Sequence, residues 1–153
     1  MATLPPASSA RLSDLELAAW TGFLRAHSTV TRRLDRELEA ECDLSLAEYD
    51  VLVTLARAPG RRLRMTDLAD AVLLSRSGLT RLVDRLESAG LVARHPCASD
   101  ARVSYVGLAP EGMTLLRRAS VVHLRGVRRQ VTDKLTEAQQ QALRDLTTLL
   151  LAE

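Results

Sequence analysis

The stretch MTDLADAVLLSRSGLTRLVDRLESAGLVARH (65–95), continued by PCASDARVSYVGLAP (96–110), decides how this chain folds. Its first part holds two short helical patterns joined by a tight connection. Its second part is a hairpin pattern around a turn-rich tip. In the second helix Leu79, Leu82, Val83 and Leu86 recur at i, i+3, i+4 and i+7, which is one apolar stripe. The opposite face carries Ser77, Arg81, Asp84 and Ser88, flanked by Arg76, Thr80 and Arg85, with the small Gly78 near the start. The stripe enters a core. The other face offers cationic and hydroxyl groups of the kind that meet base edges when a helix enters a DNA major groove by its first turns.

Working outward, Ser75 is placed to cap this helix and Gly90 to end it as the C′ residue. Thr66 is expected to cap the preceding helix, which buries Leu68, Ala69 and Val72. Leu73 stands in the turn between the two, where a glycine is common. Leu91–Arg94 and Val103–Leu108 read as two strands, with His95-Pro96-Cys97-Ala98-Ser99-Asp100-Ala101 as the tip between them.

Upstream, Leu12 to Glu41 reads as one long helix whose stripe runs Leu15, Ala19, Phe23, Ala26, Val30, Leu34 and Leu38. Such a helix needs a partner, either another segment or another subunit. Ser45 and Glu48 form a capping box, with Leu44 and Tyr49 at the staple positions, and that helix stops at Pro59-Gly60. Arg61, Arg62 and Arg64 follow, as phosphate contacts or as a solvated basic loop. Downstream, Pro110 suits N1 of a helix reaching about Val131, with Glu111 in its first turn and only Ala109 at the cap. Thr136 and Gln139 form a second capping box, and the last helix carries Leu143, Leu146, Leu149 and Leu150 on one side.

The chain has 153 residues and 46% hydrophobic residues, enough for one core, but only 3% aromatics, so Leu, Val and Ala must fill it. A net charge of +2 is no footprint for polyanion binding, so the case for DNA rests on where the charges sit. Residues 1–10 read as a loose tail without the basic and apolar regions of a signal peptide. No apolar run approaches the roughly 20 residues of a membrane span. A cytoplasmic setting with Cys42 and Cys97 reduced is therefore expected.

The central stretch resembles the MarR (multiple-antibiotic-resistance regulator) family of winged helix-turn-helix proteins. That family's pattern is L-S-x-S-x-x-T-R-x-x-D-x-L-E-x-x-G-L-V-x-R, then D-x-R, then a strand ending L-T-x-x-G. Leu74, Ser75, Ser77, Thr80, Arg81, Asp84, Leu86, Glu87, Gly90, Leu91, Val92 and Arg94 match it, and Asp100, Arg102, Leu108 and Gly112 continue it. Ala109 departs from a Thr common there. The resemblance implies a mostly α fold with a small β-hairpin wing. The winged helix-turn-helix would span 44–109, flanked by dimerisation helices at 11–43 and 110–153. It implies DNA contacts from Ser75, Arg76, Ser77, Gly78, Thr80, Arg81, Asp84 and Arg85. It also implies that Arg102 reaches the minor groove, braced by Asp100.

The expected function is that of a homodimeric transcriptional regulator on a pseudo-palindromic operator, a repressor released by a small molecule. Family members bind aromatic acids and phenols where the first, second and fifth helices meet the DNA-binding lobe. Trp20 and His27 share a stripe of the first helix, and Tyr49, Met113 and Arg117 are the matching contributors. The alternative makes Trp20 and His27 core or dimer-interface residues. Two alternatives stand beside this reading: a thiol-based redox switch through Cys97 at the wing tip, and a winged-helix module that binds protein. His27, His95 and His123 lie in separate elements without metal-ligand spacing, so no metal or cofactor is expected. No nucleophile elbow, phosphate loop or zincin motif occurs, which argues against an enzyme.

Overall fold

The computed structural model describes residues 11–152 except Leu73. The expectations for the tail at 1–10 and for Leu73 in the turn lie outside the described residues. The first helix, α1 (Asp14–Cys42), opens on a capping box that the sequence reading passed over. The Ser13 hydroxyl accepts from Glu16 N, and the Glu16 carboxylate accepts from Ser13 N. Asp43, left-handed at φ 52°, closes the helix. The helix α2 (Leu46–Arg57) starts on the expected box of Ser45 and Glu48, with Leu44 and Tyr49 both buried as the staple. Asp35 of α1 reaches across to accept from Leu46 N at 2.7 Å, which fixes the start of α2 against α1.

The central stretch folds as α3 (Met65–Ala71) and α4 (Arg76–Ser88). Leu79, Leu82, Val83 and Leu86 are all buried, as their spacing predicts. Ser75 Oγ accepts from Gly78 N at 3.1 Å and caps α4. The end of α4 is a Schellman motif: Gly90 N donates to Glu87 O and Leu91 N to Leu86 O, with Gly90 at φ 72°.

Two expectations need correction. Thr66 does not cap α3; it lies within the first turn, Arg64 holds the cap position, and no side chain serves there. The reason is the segment before it. Arg62–Arg64 is a strand, β1, and its pairing already directs the chain into α3. The wing is therefore a three-stranded antiparallel sheet rather than a two-stranded hairpin. Its order is β1-β3-β2, with β2 at Val92–Pro96 and β3 at Ser104–Leu108.

The long helix α5 (Pro110–Gln130) starts with Pro110 at N1 and Ala109 as an uncapped N-cap. It runs antiparallel to the second half of α1. Arg125 pairs with Glu41, Arg129 with Glu37, and Arg33 Nη1 donates to Gln130 Oε1 at 2.9 Å, so the partners run in opposite order. The last helix, α6 (Glu137–Leu151), opens on the Thr136–Gln139 capping box.

The core gathers around Leu38, Leu52, Leu55, Leu68, Leu79, Leu86 and Val106. Only the C-terminal part of the α1 stripe reaches it. Leu34 and Leu38 are buried, whereas Leu15 and Phe23 stay exposed because α5 covers only the second half of α1. No residue of α6 is buried. Among the described residues, no helix is long and apolar enough to cross a membrane.

Gly112 joins the two parts. A Cβ at this position would stand 2.0 Å from Leu91 O, the carbonyl that also accepts from Ala109 N. Only a glycine lets α5 start this close to the wing. Gly112→Ala is expected to lower stability by about 3 kcal/mol, the upper range for overpacking, since backbone must move. Urea denaturation checks this; an unchanged midpoint would mean the approach is not tight.

Candidate nucleic-acid interface

The buried stripe of α4 turns its other face outward. Ser75, Arg76, Ser77, Thr80, Arg81, Asp84 and Arg85 are exposed, and Gly78 is half-buried at the start. Of these, Arg76 and Arg81 take part in no ion pair among the described residues, so their guanidiniums are available to an outside acceptor. Thr80 Oγ1 donates back to Arg76 O at 2.9 Å, which leaves its lone pairs outward.

Two members of this face are engaged within the protein. Arg85 Nε donates to Glu48 Oε1 at 3.2 Å, while Glu48 Oε2 accepts from Ser45 N, so one carboxylate caps α2 and ties it to α4. Asp84 is held by Arg94 of β2. The Arg94 guanidinium donates through Nη2 to Asp84 Oδ1 at 2.6 Å and through Nη1 to Glu87 Oε2 at 2.5 Å. Arg94 N donates to Glu87 Oε1 at 2.8 Å. Asp84 and Glu87 stand three residues apart on one helix face, so a single planar cation spans both. Glu87 is held below the usual carboxylate range, first by the Arg94 amide and then by its guanidinium. Sequence reasoning matched Arg94 and Glu87 to a motif but gave them no role. Their meeting depends on the path of β2 beside α4, which no local pattern carries.

At the wing tip Arg102 and Asp100 come together as predicted. Arg102 N and Nε donate to Asp100 Oδ1 at 3.0 and 3.2 Å, and Nη2 donates to Oδ2 at 3.4 Å. The Arg102 amide, then its side chain, keeps the Asp100 carboxyl below its ordinary range. The Arg102 side chain is 91% exposed, projecting beyond the sheet. Cys97, half-buried at the same tip, lies 3.2 Å from the Ser99 hydroxyl. That hydroxyl and the amides of Ser99 and Asp100 draw the thiol below its usual range, with Arg64 adding a smaller share. Cys42 is buried in the core.

The five residues assigned to a ligand do not converge within one chain. Trp20 is 53% exposed and stacks on Phe23. His27 and Arg117 are exposed, Tyr49 is buried against the His123 ring at 4.5 Å, and Met113 packs half-buried on the core. A groove of about 540 Å³ opens elsewhere, between α1, α2 and the α3–α4 turn, and is lined by Arg32, Asp50, Leu46, Val72 and Leu74 among others.

A helix-turn-helix with an exposed polar second helix, beside a three-stranded wing tipped by an arginine, defines a winged-helix DNA-binding protein. The model of the MarR family matches residues 43–103. The HTH-type transcriptional regulator PecS of Dickeya dadantii is 32% identical over 124 residues, covering 78% of this chain and 74% of PecS. The MarR family regulator Sco3205 of Streptomyces coelicolor, crystallised in complex with DNA, superposes with a TM-score of 0.87 at 37% identity, over 92% of this chain and 88% of Sco3205. AbsC, a MarR family regulator of the same organism, gives 0.84 at 33% identity, over 92% and 93%. The chain belongs to the MarR family and is a transcriptional regulator, not an enzyme.

Proposed function

We propose that two copies of this chain form a cytoplasmic homodimer that represses transcription from a pseudo-palindromic operator and is released by a small aromatic or phenolic ligand. The division of labour follows the sequence reading: 44–109 binds DNA, and 11–43 with 110–153 holds the dimer. The observation that carries the DNA reading is the exposed polar face of α4, together with the exposed Arg102 braced by Asp100 at the wing tip. The repressor reading takes the operator to overlap a promoter, so that the bound dimer excludes the polymerase. Ser77, Thr80 and Arg81 meet base edges, Arg76 and Arg85 meet phosphates, and Arg102 enters the minor groove, where A·T-rich sequence concentrates negative potential. The carboxylate of Asp84, committed to Arg94, orients the helix instead of reading a base.

Arg81→Ala is expected to cost ~1–3 kcal/mol in operator binding and to relax specificity at one position per half-site. Fluorescence anisotropy on operator and scrambled duplexes measures both. An unchanged ratio between the two duplexes would show that α4 is not the reading helix.

For the effector, Trp20, His27, Tyr49, Met113 and Arg117 remain the candidates, on walls that a second subunit completes. The groove beside Arg32 is a further apolar cleft with a cation at its rim. The experiment titrates salicylate-like acids against Trp20 fluorescence with and without operator. Release requires the ligand to bind free protein more tightly than DNA-bound protein, by roughly 5–150-fold. Equal affinities would rule out the switch. The lowered thiol of Cys97 favours one second reading, a thiol switch on the same fold, and Cys97→Ser abolishes oxidant response if that reading holds.

A further inference from the structure

We propose that Arg64, with Arg62 beside it, grips a DNA backbone phosphate flanking the groove that the wing enters, on a sheet face built by Tyr105. The inference rests on the DNA-binding reading above and extends its footprint beyond α4 and the wing tip. Alternation along β1 puts Arg62 and Arg64 on one face of the sheet and sends the half-buried Leu63 to the other. The register sets Arg64 opposite Tyr105, and Tyr105 opposite His95. Both guanidiniums stand 5.8 Å from the Tyr105 ring centroid. Arg64 Nε donates to Tyr105 Oη at 3.2 Å, and both of its terminal amino groups are left over.

Two like charges are thus gathered on one ring, and among the described residues neither pairs with a carboxylate. The Tyr105 ring and the more distant Asp67 and Asp100 offset part of the repulsion between the two cations, and an anion held between their free donors would offset the rest. A guanidinium fixed through Nε presents a fork of donors that matches the oxygens of one phosphate. The location selects DNA. β1 runs antiparallel to β3, so Arg64 lies at the end of the sheet nearest the tip, one register step from Ser104 and Pro96. Its charge is felt at Asp100, the brace of Arg102. A strand of phosphates bordering the groove that receives Arg102 therefore passes the same edge of the wing.

The test measures operator affinity against KCl from about 50 to 200 mM for the wild-type chain, Arg64→Ala, Arg64→Lys and Tyr105→Phe. Each phosphate contact contributes about one unit of slope, so Arg64→Ala is expected to lower the log–log slope by about 2 for a dimer. The ratio of operator to scrambled affinity stays unchanged, because a phosphate contact carries no sequence information. Arg64→Lys keeps the slope and loses affinity a few-fold. Tyr105→Phe does the same, because the ring remains while the anchor of Nε is gone. Thermal melts confirm that each variant is folded, and Arg64→Gln replaces Arg64→Ala if the latter is not. An unchanged slope in a folded variant lacking the Arg64 charge overturns the inference. A wild-type chain with no salt-sensitive operator binding overturns the DNA reading itself, which is a different result.

Discussion

Leu146→Asp combined with Leu149→Asp is expected to convert the protein to a monomer and lower operator affinity by about 10²–10⁴-fold, the range lost when two linked sites become one. The two leucines are 60% and 73% exposed on α6, a helix with no buried residue of its own. The first half of α1 shows a matching face, with Leu15 80% exposed and Trp20 and Phe23 beside it. Apolar surface on this scale is rare on a monomer, which supports the proposed dimer. Neither leucine contacts the core in a single chain, so the substitutions leave the winged lobe folded. Analytical ultracentrifugation reads the mass and anisotropy reads the affinity. A variant that stays monomeric yet binds operator at full strength would remove the dimer from the mechanism.

The second large effect is expected at Arg94. Arg94→Ala frees Asp84 and takes the guanidinium from Glu87, leaving the residue-94 amide as the polar tie from Glu87 of α4 to β2, the strand that leads to the wing tip. Two charge-assisted bonds and one orienting link are lost, so stability should fall by about 2 kcal/mol, discounted because Asp84 is well exposed. Operator affinity should fall further, by about 2–4 kcal/mol over two half-sites, because each recognition helix must be ordered on binding. Arg94→Lys should restore little, since an ammonium cannot span both carboxylates. The clamp also carries a pH signature. Glu87 is shifted down in the fold, so the stability it adds is present above the ordinary carboxylate range. It is lost as pH falls through the lowered folded value. Arg94→Ala should shrink that acid limb without removing it, because the residue-94 amide, the larger cause, stays in place. Wild-type and variant curves of equal slope would contradict the clamp.

How much of this was legible beforehand follows from the range of each interaction. The capping boxes at Ser45–Glu48 and Thr136–Gln139, the stripe of α4, the Gly90 stop and Pro110 at N1 are all set by residues within a few positions of one another, and the structure places each where the spacing does. The brace of Arg102 by Asp100 is also local, two residues apart. β1 escaped notice because three residues with one apolar side chain carry no readable alternation, and its stability comes from β3, over forty residues later. Thr66 misled for the same reason: the start of α3 is dictated by that pairing and not by a cap. The stripe of α1 was visible in full, but whether it meets α5 or another molecule depends on where α5 ends. The Arg94 clamp needed the approach of β2 to α4, which sequence spacing does not encode.

The central claim is that a dimer reads DNA through α4 and the wing. Hydroxyl-radical footprinting on duplexes selected by the wild-type protein from a random pool tests it most directly. The account predicts two protected half-sites about 10 bp apart, related by an approximate two-fold axis, with minor-groove protection beside each. Repeating the selection with Arg81→Ala should blur one base position in each half-site, and with Arg102→Ala should remove the minor-groove protection alone. A single protected segment, or a selected pool without any shared sequence, would contradict it.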